Sequence, residues 1–327
     1  MTRTRRILTA CAAATVVVLS GCGVQDSVVH LQPAPTENSE VGAPLREAAA
    51  EQIATRVLTQ ATAADTQEAV EAIYVGPALR IATMRLARGG GPQGPAPELV
   101  LSQQPAVLAM SRGSEWPRAI LAATLDEESS AQHLHVLVST SATDQFKVYA
   151  TAKMLPGTSI PALGDLSDGV GFEVATAEAP IEASTVVDDY AKALAFPTPA
   201  AVETVGVEDT YAQSVMSNAK AQHESLDDLG ALTQAHAPIP DSVLAMTTSD
   251  GGAVVFGQMV RTDTITLTDK AKELAIGDPV LQGLSGKKLV TKNFTTRSLG
   301  NFIFVAPASG PATLIGAEET YLEAGGT

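Results

Sequence analysis

The chain has 327 residues, 36 of them acidic and 21 basic, and its formal charge of −15 excludes nucleic acid as a partner, because phosphate binding needs a clustered positive face. An apolar content of 45% is globular rather than disordered, and the length allows two units that each bury a core. With 7 Phe, 5 Tyr and 1 Trp, little is left for stacking bases or sugars.

Arg3, Arg5 and Arg6 precede a 13-residue apolar stretch, 7–19. That is shorter than the roughly 20 residues needed to span a bilayer as a helix, and it fits the apolar region of an export signal. Leu19-Ser20-Gly21-Cys22 follows, and it resembles the lipobox of bacterial lipoproteins. The resemblance implies cleavage after residue 21 and acylation of Cys22, which places the body on the extracytoplasmic face of the cell membrane. Cys11 leaves with the signal, so the mature chain has no free thiol, no internal disulfide, no Cys nucleophile and no Cys₄ zinc site. Removing three arginines and no acid takes the charge from −15 to −18, which keeps the body tethered rather than adsorbed to an anionic surface. Residues 22–44 then read as the lipidated Cys and a tether rich in Pro and Gly, on the order of 25 Å long as flexible coil.

The body opens with an apolar residue every fourth position, Leu45, Ala49, Ile53, Val57 and Ala61, which predicts a helix over 45–61. A second helix is expected over 66–74, and a third is restarted by Gly76-Pro77. The run 89–95, with four Gly and two Pro, lacks the Lys-Ser/Thr of a phosphate loop and reads as a plain loop. The period then changes to two, predicting strands over 107–111, 118–125, 133–140 and 146–154. In the third, Leu134, Val136 and Val138 face the core, with His133, His135 and Ser139 on a polar face. Short connections imply antiparallel pairing.

After a Pro- and Gly-rich stretch, 156–180, the order repeats. Ser184 is expected to cap a helix carrying Val187, Tyr190, Ala191 and Leu194, and a further helix covers 208–223. Strands follow over 242–247, 253–260, 262–268, 289–296, 301–306 and 313–322. Val107-Leu108-Ala109-Met110 matches Val243-Leu244-Ala245-Met246, and residues 23–180 and 181–327 each carry 9 basic and 18 acidic side chains. The expected organisation is a signal peptide (1–21), the anchor and tether (22–44), a first domain (45–165), a linker (166–180) and a duplicated second domain (181–327). Residues 269–288 interrupt the second half as an insertion.

The fold class expected is α+β, with each half a set of helices packed on a curved antiparallel sheet. That order resembles the cystatin-like and nuclear-transport-factor-2-like architecture. Through the lipobox, Tyr74-Val75-Gly76-Pro77-Ala78-Leu79-Arg80 and Leu155-Pro156-Gly157-Thr158-Ser159-Ile160-Pro161, the chain looks like a group of uncharacterised actinobacterial membrane-anchored lipoproteins. The resemblance implies a location and a fold but supplies no catalytic residues.

Chemistry-bearing motifs are sparse. Ser217 and Lys220 match the Ser-x-x-Lys of penicillin-binding proteins, and Ser249-Asp250 a poor second motif, but the third motif, Lys-Thr-Gly, is missing. His133 and His135 share a strand face with Asp126, Glu127 and Glu128 nearby, a spacing able to hold a metal but more simply a solvated face. Asp188-Asp189 and Asp227-Asp228 read as exposed surface, and His223 and His236 lack a nucleophile partner. The reading is therefore a non-catalytic binding or accessory module with no cofactor and Cys22 as its modified residue. Its expected partners are the membrane through the anchor and an envelope protein, wall component or small apolar ligand. The alternative is a hydrolase or isomerase using a pocket between helices and sheet.

Overall fold

A computed structural model describes residues 42–87, 105–126, 130–176, 178–179 and 181–327. Cys22, the signal peptide, most of the tether and the 89–95 loop lie outside these residues. Three helices come first: α1 (Glu47–Thr62), α2 (Gln67–Ile73) and α3 (Gly76–Ala87). Ala50, Ala54, Val57, Leu58 and Ala61 form the buried stripe of α1, and the Thr66 hydroxyl caps α2 by accepting from the Ala69 amide at 3.2 Å.

Strands β1 (Ala106–Met110), β2 (Arg118–Asp126), β3 (Ala131–Ser139) and β4 (Lys147–Lys153) form an antiparallel meander in chain order. The short strand β5 (Phe172–Val174) leads to α4 (Ser184–Ala193) and α5 (Thr210–Leu226). Next come β6 (Gly230–Pro238), β7 (Leu244–Thr247), β8 (Ala253–Leu267), a two-stranded excursion β9 (Leu274–Ala275) and β10 (Leu289–Val290) enclosing α6 (Pro279–Ser285), then β11 (Asn293–Ala306) and β12 (Thr313–Gly326). The second sheet runs β12-β11-β8-β7-β5, with β6 paired to the far half of β8. Every ladder among the described residues is antiparallel.

The three largest cores among the described residues separate four layers. Leu121, Leu134 and Val136 of the first sheet pack against Met246, Phe256 and Ile303 of the second. The other face of the first sheet, at Ile120, Leu137 and Val148, is covered by α1, α2 and α3. The other face of the second, at Val255, Phe302 and Phe304, is covered by α4 and α5. The central strands of the first sheet therefore bury both faces, which corrects the polar-face expectation for β3: all six residues from Leu134 to Ser139 are buried, His135 included. A sheet between helices and a second sheet has no solvent side.

The sheets meet at one corner, where Met154 bridges Gly316 and the Leu155 amide donates to the Ile315 carbonyl at 2.8 Å. A Cβ on Gly316 would lie 3.0 Å from the Lys153 carbonyl, so this approach leaves little room for a side chain. The stretch read as a linker is pinned to both sheets. The Val170 amide donates to Met110 at 2.8 Å, and β5 pairs with β7.

Several sequence expectations change. The strands expected over 253–260 and 262–268 are one, β8, because no turn residue separates them. Residues 301–306 belong to a strand that begins at Asn293, since Gly300 stays in register between Met259 and Glu319. Ser184 does not cap α4: it is the first helical residue, and its buried hydroxyl has no partner. Strand β6 is an addition. Its alternation of buried Gly230, Leu232 and Gln234 with exposed Ala231, Thr233 and Ala235 is written in small and polar letters, which hide the period. Residues 269–288 form the excursion carrying α6, capped by Asp278, whose carboxylate accepts from the Val280 amide at 2.7 Å.

Candidate functional site

Besides His135 and its threonine partners, three groupings of polar side chains among the described residues could form a site. The first is the seam between α3 and the inner face of the second sheet. Gln258, 1% exposed, donates to the Pro77 carbonyl at 3.0 Å and to Asn301 Oδ1 at 2.8 Å, while Asn301 donates to the Thr151 carbonyl at 2.7 Å. Arg80 Nε donates to Gln258 Oε1 at 3.3 Å, and its terminal nitrogen pairs with Asp241 at 3.0 Å. Arg85 reaches Glu318 at 2.8 Å. The buried amides of Gln258 and Asn301 are bonded to protein partners, so the seam ties α3 and β4 to the second sheet.

The second lies on the helix-covered face of the second sheet. Arg261 and Asp263 sit two residues apart on β8 and so point the same way. Arg261 grips Asp263 through Nε and a terminal nitrogen (2.9 and 2.7 Å) and reaches Glu319 of β12 at 3.1 Å. Burial works against the Arg261 charge, but the Asp263 hydrogen bonds and the Glu319 charge more than offset it and hold the guanidinium protonated. Burial raises the Glu319 carboxyl against the pull of Arg261, and it also raises the nearby Tyr211 hydroxyl. Across the ladder from Arg261, His236 has both ring nitrogens buried without a partner, and burial plus the Arg261 charge push it down to about 3. Beside this cluster the Tyr190 hydroxyl donates to Asp209, which also caps α5 by accepting from the Ala212 amide at 2.8 Å.

The third is a groove of about 540 Å³, within the size range of small-molecule sites. It lies between residues 157–161, which leave the first sheet, residues 206–209 before α5, and the β11–β12 hairpin. Leu314 and Ile315 are buried beneath it, and Thr158, Ser159, Glu208 and Asp209 stand around it.

The residues singled out from sequence fare differently. His135 is fully buried and neutral, pushed down to about 3 by burial and then by His133. Its two nitrogens contact the hydroxyls of Thr124 and Thr151 at 2.8 and 3.0 Å, which leaves none for a metal. His133 stacks on it at 6.4 Å between ring centroids. Glu127 and Glu128 lie outside the described residues, and no group of three or more metal-ligating side chains occurs among the described ones. Ser217 is exposed on α5 and donates to the Ser214 carbonyl at 3.1 Å, while Lys220 stands 3.9 Å from Glu224. Asp250 shapes the β7–β8 turn by accepting from the Thr248 hydroxyl and the Gly252 amide. Asp189 is held by Lys192 and Thr204, Asp228 by Lys270, and His223 accepts from the Leu232 amide at 3.2 Å.

The buried histidines give a pH signature. Both have folded pKa values of about 3, below the ordinary 6.5, so the unfolded chain takes up more protons between those limits. Their contribution is complete above pH 6.5 and declines as the pH falls toward 3. Urea unfolding at pH 7, 6 and 5 should show stability falling by up to about 1.4 kcal/mol per pH unit for each histidine. His135→Gln should flatten the slope, and an unchanged slope would show that His135 does not titrate on unfolding.

Compared with protein families, with curated proteins and with solved structures, the chain matches none.

Proposed function

We propose that the protein is a lipoprotein anchored through Cys22 on the extracytoplasmic face of the cell membrane, where it serves as a non-catalytic binding or accessory module. The observation that carries the non-catalytic part is how its interior ionisable groups are used. Arg261 is held by Asp263 and Glu319, His135 by two threonines and Tyr190 by Asp209; His236 is the exception, enclosed without a partner, and on the surface of α5 Ser217 donates to the Ser214 carbonyl while Lys220 pairs with Glu224. The groove combines hydroxyls and carboxylates without a histidine or lysine to activate a nucleophile. That suits holding a ligand better than turning one over.

The body, in this reading, is a duplication of a cystatin-like or nuclear-transport-factor-2-like unit. Support comes from strand order: β1-β2-β3-β4 and β7-β8-β11-β12 are both antiparallel meanders, and the two Val-Leu-Ala-Met segments fall in or beside the first strand of each. In both, the preceding helices cover the face turned away from the other sheet.

The anchor is tested by Cys22→Ser. The wild-type chain should fractionate with membranes and carry acyl mass, and the variant should be released or left unprocessed. Two acyl chains hold far better than the marginal grip of one. Unchanged mass and fractionation would remove the anchoring reading, and turnover of an ester or amide substrate, lost on changing a groove residue, would replace the module with an enzyme.

A further inference from the structure

The polar atoms enclosed without a partner are not scattered. Among the described residues there are six on side chains, and four of them surround Arg261: both ring nitrogens of His236, the Tyr211 hydroxyl and Glu319 Oε1. His236 lies directly across the β6–β8 ladder from Arg261. Tyr211, in the first turn of α5, stands beside Arg261 and Glu319 without aligning to bond either. Shut beneath the helices, these atoms forgo hydrogen bonds that water would supply, so the closed packing carries a cost that exposure returns. Helix α5 is the cover over them, and it is lightly fastened. In seventeen residues it buries Ala212, Val215, Ala219 and Leu226, whereas α4 buries Val186, Val187, Tyr190, Ala191 and Ala193 in ten. Its C-terminal joint is strained, because Asp227 has a φ of 47° and a ψ of −128°, backbone that favours glycine. Backbone ties bound the segment at each end: the Gly206 amide donates to the Ala312 carbonyl and the Thr268 amide to the Leu229 carbonyl, both at 2.8 Å. Between them, among the described residues, two side-chain contacts fasten residues 207–227 to the rest of the molecule by hydrogen bonds. One is the Tyr190 hydroxyl on Asp209, and the other is His223, which accepts from the Leu232 amide.

We propose that residues 207–227 form a latched cover: α5 swings off the second sheet as a unit, Tyr190 holds it shut through Asp209, and the unpartnered groups beneath it favour opening. Against opening stand the short buried stripe and the edge of Tyr211 on Phe302, 5.2 Å between ring centroids. In favour stand the hydration of His236, Tyr211 and Glu319 and the release of strain at Asp227. The balance between them is set by one charge-assisted hydrogen-bonded contact, and bonds of that kind are the strong ones. The open form presents Arg261, Asp263, Glu319 and His236 to solvent, a charged surface that the closed form hides. What the body offers a partner therefore depends on the latch. The inference holds whether or not Cys22 is acylated.

Native-state amide exchange on the full chain reads such opening element by element. The amides of α5 should exchange together, at least about tenfold faster than those of β8 and β11 in the sheet beneath. Tyr190→Phe keeps the ring and removes the latch, and it should speed α5 exchange by about tenfold more. Tyr211→Phe and His236→Leu act the other way: each removes unpartnered polar atoms without losing a bond, and each should slow α5 exchange by about threefold or more. Opposite signs for latch and spring are what a merely weak helix would not show. The proposal is overturned if α5 is protected as well as β8, or if Tyr190→Phe leaves its exchange unchanged. It is equally overturned if Tyr211→Phe or His236→Leu speeds that exchange or leaves it as it was. These last two variants keep the packing, so the test stands even where Tyr190→Phe folds poorly.

Discussion

Tyr190→Ala should destabilise the protein by about 4 kcal/mol, enough to consume much of the stability of an ordinary domain. Tyr190 is fully buried on α4 and is among the largest such side chains among the described residues. Its ring meets Phe304 edge-on at 5.1 Å and Phe302 at 6.3 Å, so truncation opens a cavity where α4 grips the second sheet. Its hydroxyl donates to both Asp209 oxygens, at 3.0 and 2.9 Å, and thereby fixes the residue that caps α5. Tyr190→Phe separates the contributions. It keeps the packing and should cost only about 1–2 kcal/mol for the hydrogen bond to a charged group. Equilibrium unfolding in guanidinium measures both, and a Phe variant as unstable as the Ala variant would mean that the ring contributes little.

Gln258→Leu should cost about 2–4 kcal/mol despite being nearly isosteric. The substitution strands the Pro77 carbonyl and Asn301 Oδ1, each of which now receives a Gln258 N–H, and leaves Arg80 Nε without its acceptor. Each buried polar group left unpaired costs about 1–3 kcal/mol. Arg80 retains Asp241, which caps the loss. Because the seam ties α3 to the second sheet, amide exchange along α3 should accelerate more than exchange along α1. Equal protection of the two helices in the variant would show that Gln258 does not hold α3.

Much of the architecture was legible because apolar spacing is a local signal. The helices at Glu47–Thr62, Gln67–Ile73 and Gly76–Ala87 and the four strands of the first sheet follow from period and turn residues alone, whereas β11 reads from sequence as two strands broken at Gly300. Face assignment was harder. His135 occupies a position that alternation gives to solvent, and only the helices covering that face reveal it as core. The polar clusters were invisible for a related reason. Arg261 and Asp263 share a face by their spacing, but nothing local tells which strand brings Glu319 beside them or that Tyr211 lies over them. Gln258 and Asn301 read as ordinary strand polarity until a helix from the other end of the chain is laid against them. The groove follows from three segments far apart in sequence, and no motif marks it.

The shared inner core has a consequence for how the chain reaches this state. Leu121, Leu134 and Val136 are covered by Met246, Phe256 and Ile303, residues synthesised more than a hundred positions later. The seam is longer still, with Gln258 and Pro77 181 positions apart and Arg85 and Glu318 233 apart. Closing such loops before their contacts form makes folding slow, and until β8 and β11 arrive the first sheet has an apolar face with nothing on it. A chain that emerges N-terminus first thus passes through a stage in which its first half is sticky by construction, and its second half acts as the intramolecular escort that ends that exposure.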